Sequence, residues 1–279
     1  MESYYAREFI LLLVRWTHVF AAILWIGQTF LFHRIEATLE PDDDGASEGR
    51  TWMVHGGGFF QVRKLISAPS GSTLQWFKWA SLTTWASGAV LIVLTYYREG
   101  LLTHEGTDFS VGVATSVISV VVGWLVYDGL VRSGISRKPV LFGILTLLLV
   151  VALYHVLGAV MTARSAFIHV GAVLGSIMVA NVWLRILPSH RKAIGSVLRG
   201  ETPDLQRRPS PNRSRHNSYI VLPVLLIMIG NHYPLVTYAA PGGTLVLMLL
   251  LLIGGFTAHR ILNFWRPAVG SAPHVSAQT

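Results

Sequence analysis

Histidine side chains stand inside stretches of the sequence that are otherwise apolar enough to cross a membrane. Five of them occupy such positions: His18, His155, His169, His232 and His259. An ionisable side chain in hydrocarbon must find a partner or a ligand, so each one is a functional candidate by default. Neutral imidazole is a common ligand for metals and for haem iron, which makes a cofactor buried between helices the first hypothesis.

The composition is that of a polytopic membrane protein. Of the 279 residues, 52% are hydrophobic and 13% are charged, whereas a soluble domain carries about a quarter charged residues. Cysteine is absent, which excludes disulfides, thiolate-bound zinc, iron–sulfur clusters, covalently attached c-type haem and thiol catalysis. The net charge of +8 lies in loops between apolar stretches, so we interpret it as a contact with lipid headgroups and not as a nucleic-acid surface.

Seven stretches are long enough to cross a bilayer, which takes about 20 apolar residues each. They predict an all-α fold, a polytopic membrane bundle with helices at 9–32, 75–97, 110–131, 139–161, 165–187, 218–236 and 241–264. We expect one transmembrane domain over 1–265 and a disordered tail over 266–279. Within the domain, the polar and proline-rich stretch 201–217 is predicted to be a flexible linker.

Loop charges predict the orientation of this bundle. Lys and Arg concentrate in the loops 33–74, 132–138 and 188–217, whereas the alternate loops carry few of them. Because these residues mark the cytoplasmic side of a membrane, we expect the N-terminus outside and the C-terminus in the cytoplasm.

The predicted topology sorts the candidate cofactor ligands by depth. Four histidines on four helices share the outer half of the bilayer: His18, His155, His169 and His232. Two others lie near the inner helix ends: His33 and His259. His18 and His232 are the candidates for coordinating haem iron. A histidine at a helix end can also be an interfacial hydrogen-bonding residue, and that alternative stays open for His33, His155 and His259.

Other residues of the predicted spans receive a structural interpretation. Asp128 ends the third helix on the inner side, where we expect it to be solvated. Asn181 lies within the fifth helix and is predicted to hydrogen-bond to a neighbouring helix. Gly171 and Gly175 form a small-xxx-small pair, which indicates close helix packing.

The first cytoplasmic loop contains a compact set of recognition residues. Three glycines follow His55, and the residues after them are Phe59, Phe60, Gln61, Arg63 and Lys64. Glycine allows close backbone approach, the aromatic rings offer a stacking face, and the amide and cations can meet a polar, negatively charged edge. This set predicts a site for a flat anionic heterocycle. The alternative is an amphipathic segment lying on the lipid headgroups.

Four motifs together resemble one protein family. They are Arg15-Trp-Thr-His18, Leu24-Trp-Ile-Gly27, Trp52-Met-Val-His-Gly-Gly-Gly-Phe-Phe-Gln-Val-Arg63 and Asn231-His-Tyr-Pro234. In this combination the chain resembles the membrane domain of the bacterial membrane-bound urate oxidases, over nearly all of residues 1–265. The resemblance implies a multi-pass protein of the bacterial inner membrane that oxidises urate to 5-hydroxyisourate.

The resemblance also implies an electron route. Family members carry an eighth helix and a C-terminal cytochrome c domain on the outer side, whereas this sequence has no Cys-x-x-Cys-His motif. The expected electron acceptor is therefore a separate cytochrome c or the quinone pool. We expect b-type haem to carry the electrons, and His55 to act as general base beside the Phe59–Lys64 segment that binds urate or a similar purine.

Two other functions fit the same residues. The chain could be a haem-binding electron-relay subunit of the membrane without a substrate site of its own. It could also be a transporter whose intramembrane histidines relay protons. A visible spectrum distinguishes the transporter from both haem proteins, and haem reduction by urate distinguishes the enzyme from the relay.

Overall fold

The computed structural model describes residues 2–42, 45–66, 77–199 and 210–264, and most of them are helical. The helices are α1 Glu2–Ala37, α2 Lys78–Ile92, α3 Phe109–Arg132, α4 Pro139–Gly158, α5 Ala163–Asn181, α6 Leu187–Leu198, α7 Ser210–Gly230 and α8 Gly243–Phe264. A π-helical turn, Val93–Tyr97, continues α2, and another, Val182–Ile186, joins α5 to α6. The chain thus forms seven continuous helical rods among the described residues, which confirms the predicted all-α bundle.

Helix ends are set by residues suited to them. The side chain of Asp108 accepts a hydrogen bond of 2.7 Å from the backbone N–H of Ser110 at the start of α3. Thr162 caps α5 in the same way through the N–H of Ser165. Pro139 begins α4, where its missing N–H removes no helical hydrogen bond. These caps satisfy donors that a helix start would otherwise leave unpaired.

The rod formed by α5 and its continuation lies at the centre of the bundle. It packs against α2, α3, α4 and α7, and its apolar window is far more buried than that of any other candidate span. Phe167, Val170 and Val173 are fully buried there with Ile227 of α7. Gly171 faces Ile227 so closely that a methyl group would meet its side chain at 3.0 Å. Close helix packing at Gly171 is therefore confirmed.

Six of the described rods are long and apolar enough to cross a membrane, and the rod that fails this test is α7. The predicted span 218–236 is wrong in its limits, because α7 begins eight residues earlier and ends at Gly230. The last eight residues of the predicted linker 201–217 are the start of this helix, held there by the buried side chains of Arg213 and Asn217. Residues 201–209 and the predicted tail 266–279 lie outside the described residues.

The first predicted cytoplasmic loop folds into a β-hairpin, the one sheet among the described residues. Strand β1 is Ser47–His55 and strand β2 is Gly58–Leu65, paired antiparallel. Gly56 and Gly57 form the two-residue turn with φ of +56° and +80°. This turn conformation matches the right-handed twist of the two paired strands, and glycine adopts it at little cost. The predicted substrate segment is therefore a strand, with side chains alternating between two faces.

Candidate functional site

His169 of α5 is the histidine whose surroundings best fit a ligand to a cofactor. Its side chain is 1% exposed, and its Nδ1 lies 2.7 Å from the carbonyl oxygen of Ser165. A carbonyl only accepts, so Nδ1 carries the proton and Nε2 carries a lone pair. This Nε2 is buried and has no hydrogen-bond partner among the described residues. A histidine fixed through Nδ1–H with a bare Nε2 is the arrangement that protein ligands to metals adopt.

A second unpartnered polar atom lies close to His169. The ring of Tyr96 meets the His169 ring edge-on, with 6.0 Å between the centroids. The Arg164 guanidinium lies 5.8 Å from the centre of the same Tyr96 ring, and its buried Nε has no hydrogen-bond partner in the part of the chain described. The Tyr96 hydroxyl pairs with the side chain of Asn231. The free imidazole nitrogen suits a haem iron, and the unpaired Nε–H of the Arg164 guanidinium suits a haem carboxylate.

His18 has the same donor pattern at another place in the bundle. Its Nδ1 lies 2.8 Å from the carbonyl oxygen of Thr84 in α2, which leaves Nε2 as the acceptor nitrogen. The ring packs directly on Gly88, where a methyl group would lie 2.9 Å from Cε1 of His18. His18 thus meets the donor requirement for an iron ligand.

The remaining predicted ligands make contacts between helices or lie exposed. His33 bonds to the hydroxyl of Ser218 at 2.7 Å, and His259 bonds to the hydroxyl of Tyr219 at 3.1 Å. His155 lies 3.4 Å from the hydroxyl of Thr244, and His232 is exposed just after α7. Across the described ranges, no three His, Asp or Glu side chains converge as a metal site. The geometry therefore favours His169 and His18 over the other four.

The hairpin divides its predicted urate-binding residues between two faces. Trp52 is paired with Gln61, and Val54 is paired with Phe59. These residues and Arg63 share the outward face, because directly opposed residues point to the same side of a sheet. Phe60 points to the other face. His55 is exposed beside the turn, and among the described residues no hydrogen bond orients its ring as a base.

Carboxylates pair with all three cations of the hairpin, and Asp42 lies 3.8 Å from Arg50 as well as beside Arg63. Both Nε and Nη2 of Arg63 lie 2.9 Å from Oδ2 of Asp42. Although burial opposes it, the Ser47 hydroxyl and the Arg63 and Arg50 guanidinium groups hold the pKa of Asp42 below its ordinary value. Lys64 lies 3.0 Å from Glu36 and 2.8 Å from Glu48. The hairpin thus offers an aromatic and amide surface but little unpaired positive charge.

A buried ionic cluster, absent from the sequence-based predictions, lies between α3, α7 and the turn after α5. We call Asp128, Arg132, Arg185 and Arg213 the arginine cluster. The Asp128 side chain is 9% exposed and the Arg213 side chain 2%. Arg213 lies 2.6 Å from Asp128, Arg132 lies 2.9 Å from it, and Arg185 donates through two nitrogens. The expectation that Asp128 is solvated is therefore wrong.

A chain of hydrogen bonds continues from this cluster. Arg213 donates to the side-chain oxygen of Asn181 at 3.0 Å, and Asn181 donates to the Tyr127 hydroxyl at 3.0 Å. That hydroxyl lies 2.8 Å from Nδ1 of His216, whose ring stacks on Phe142. Asn181 also donates to Asn217 of α7, which confirms its predicted role between helices. The sequence contains one signal for this cluster. Asn181 is an amide inside an apolar stretch, and its predicted depth in the membrane matches that of charged residues at the ends of two predicted helices.

These features define the class of the protein. It is a multi-pass type of helical bundle, with six apolar helices able to cross a membrane, a buried histidine with a free nitrogen, and a buried ionic cluster. The family model described as "Urate oxidase N-terminal" matches residues 4–271. The chain therefore belongs to this urate oxidase family, and it is a urate-related oxidoreductase. Searches of curated proteins and of solved structures found no match.

Proposed function

We propose that this protein oxidises urate to 5-hydroxyisourate within the bacterial inner membrane. The observation that carries the proposal is the family match, which extends over residues 4–271 and so includes every helix and the hairpin. The six apolar helices support a membrane location. The concentration of Lys and Arg in alternate loops supports an outer N-terminus and a cytoplasmic C-terminus.

The proposal includes b-type haem as the resident cofactor. His169 is the first ligand, because its buried Nε2 is free and its Nδ1–H is fixed by Ser165. His18 is the second candidate, and Arg164 would pair a haem carboxylate. When bound, haem supplies an iron that takes up one electron at a time. A cytochrome c or a quinone then accepts the electrons.

The chain's own residues would shield this cofactor from water and hold its ligand in one orientation. Tyr96 is buried beside His169, so water has little access to that part of the bundle. The hydrogen bond from His169 to Ser165 lies within one helical turn, which holds the ring still. A ligand held in one orientation loses little freedom on binding.

Product analysis tests the proposed activity. Membranes containing the protein, from a host without other urate oxidases, are supplied with urate and with oxidised cytochrome c or a quinone. We expect the loss of urate to match the formation of 5-hydroxyisourate, with two electrons reaching the acceptor for each urate. Membranes in which acceptor reduction does not depend on urate would contradict the proposal. Acceptor reduction by other donors would instead support an electron-relay subunit.

A further inference from the structure

The arginine cluster holds more positive charge than its carboxylate can neutralise. Three guanidinium groups surround the single carboxylate of Asp128, and none of the other ion pairs of the described residues brings a second carboxylate to them. Arg213 is buried and pairs with Asp128, so Arg185 and Arg132 must share the same carboxylate. A bound anion would balance the positive charge that remains. The balance of charge therefore points to an anionic ligand.

One donor of the cluster has no acceptor. Nε of Arg213 is buried without a hydrogen-bond partner in the ranges described, although buried polar groups are nearly always paired. Arg213 is fixed by Asp128 and Asn181, so a repositioning that satisfied Nε would break other bonds. Arg185 is partly exposed at the edge of the cluster. A ligand entering past Arg185 could reach this donor.

The side chains around the cluster suit a flat ligand. Both Arg185 and Arg213 lie over the ring of Trp124, at 5.8 Å and 5.7 Å from its centre. The Tyr127 ring lies 5.5 Å from Arg213. Aromatic faces and planar guanidinium groups stack on heterocycles, and guanidinium groups meet carbonyl and anionic edges with paired N–H donors. On the hairpin, by contrast, the Arg63 guanidinium is already paired with the Asp42 carboxylate.

We propose that the arginine cluster, with Trp124 and Asn181, binds the urate monoanion, and that Tyr127 and His216 carry away the proton released when urate is oxidised. This inference rests on the proposed function and locates its substrate site. In the reaction, water adds its oxygen to C5 of urate and one O–H bond of that water breaks. Two electrons leave to the cytochrome c or quinone acceptor, and the monoanion releases one proton overall.

The direction of the hydrogen bonds suits proton release. Asn181 donates to the Tyr127 hydroxyl, and that hydroxyl donates to Nδ1 of His216 when the imidazole carries its proton on Nε2. A proton arriving at Tyr127 would pass the phenolic hydrogen to His216. Asn181 lies 12 residues beyond His169 on one helical rod, which is about 18 Å along the axis. Substrate and haem would thus occupy opposite halves of the bundle.

Equilibrium binding of labelled urate to the full chain in nanodiscs tests the site. We expect Arg185→Gln to raise the Kd for urate at least tenfold, and Arg185→Lys, which keeps the charge, to raise it less. Arg7→Gln is the matched control, because Arg7 forms an exposed ion pair with Glu99 away from the cluster. Wild-type affinity in both Arg185 variants would overturn the inference.

Turnover tests the proton path separately. Tyr127→Phe keeps the ring and removes the hydroxyl, so we expect kcat to fall at least tenfold while the Kd for urate stays within twofold. Tyr154→Phe, on α4, is the control for loss of a phenol. An unchanged kcat in Tyr127→Phe would remove Tyr127 and His216 from the proton path.

Four further outcomes are distinguishable. A wild-type protein that neither binds nor oxidises urate contradicts the proposed function itself, whereas wild-type binding that is insensitive to Arg185 contradicts only the location. Loss of binding in Arg63→Gln but not in Arg185→Gln would place the site on the hairpin. Urate binding is also compared in nanodiscs of phosphatidylglycerol and of phosphatidylcholine. Loss of binding in phosphatidylglycerol alone would identify a lipid phosphate as the occupant and overturn the inference.

Discussion

Arg213 of α7 and Asp128 of α3 form an ion pair of 2.6 Å in which neither side chain is more than 9% exposed. The two residues are 85 positions apart in the sequence, and their pair joins α3 to α7 and connects both to the central rod through Asn181. A buried ion pair does little for stability by itself, but removing one partner leaves an unpaired charge in a medium of low dielectric constant.

Asp128→Asn should therefore destabilise the bundle strongly. It leaves the guanidinium of Arg213 buried without its carboxylate, for which we expect a cost of about 3–5 kcal/mol. Thermal unfolding in detergent measures this cost. Asp108→Asn is the control, because Asp108 is exposed at a helix cap that asparagine also forms well. A change in Asp128→Asn no larger than in the control would show that the cluster contributes nothing to the fold.

Gly254 should be intolerant of even one methyl group. A methyl there would lie 2.5 Å from the backbone nitrogen of Pro223, where α8 crosses α7. Backbone cannot give way as a side chain can, so Gly254→Ala should cost about 1–3 kcal/mol through overpacking. The adjacent Gly255 has open space around it, and Gly255→Ala should be neutral or slightly stabilising. Equal melting temperatures of the two variants would contradict this packing.

His169→Ala should remove haem from the purified protein, since the variant lacks the buried Nε2 that is proposed to hold iron. Haem content is measured by the pyridine haemochrome spectrum. His259→Ala is the matched control, because His259 is exposed and its Nδ1 already pairs with Tyr219. Full haem content in His169→Ala would shift the proposal to His18.

The hairpin should loosen in acid. Although burial raises it, the Ser47 hydroxyl and the Arg63 and Arg50 guanidinium groups together hold the pKa of Asp42 below its ordinary value in the folded chain. A lowered carboxyl pKa gives stability that is complete above the unfolded pKa of about 4 and is lost as pH falls through the folded pKa. Amide hydrogen exchange in 47–65, corrected for intrinsic rates, should accelerate in that range. In Asp42→Asn the acceleration should already be present at neutral pH.

Much of the fold could be predicted from the sequence, and the error in the predicted limits of α7 has a physical cause. Long apolar stretches predict six of the rods directly, because only a helix satisfies its own backbone in hydrocarbon. The seventh, α7, begins among polar residues such as Arg213 and Asn217, which look like linker until Asp128 and Asn181 are seen to pair with them. Pairing between distant helices leaves no local pattern in a sequence.

The candidate site shows the same division. His169 was among the predicted ligands because it stands in an apolar stretch, but the sequence did not distinguish it from His155 or His232. What distinguishes it is the unpaired Nε2, which depends on the packing around Tyr96. The sequence predicts that the Phe59–Lys64 residues act together. In the structure they form a strand, so their side chains alternate between two faces, and Arg63 is already paired with Asp42.

The visible spectrum of the purified protein, recorded anaerobically before and after urate is added, tests the central claim most directly. The account predicts a Soret band in the oxidised protein, and reduction of that haem by urate without any other donor. A protein purified intact with no haem, or with haem that urate leaves oxidised while dithionite reduces it, would contradict the account.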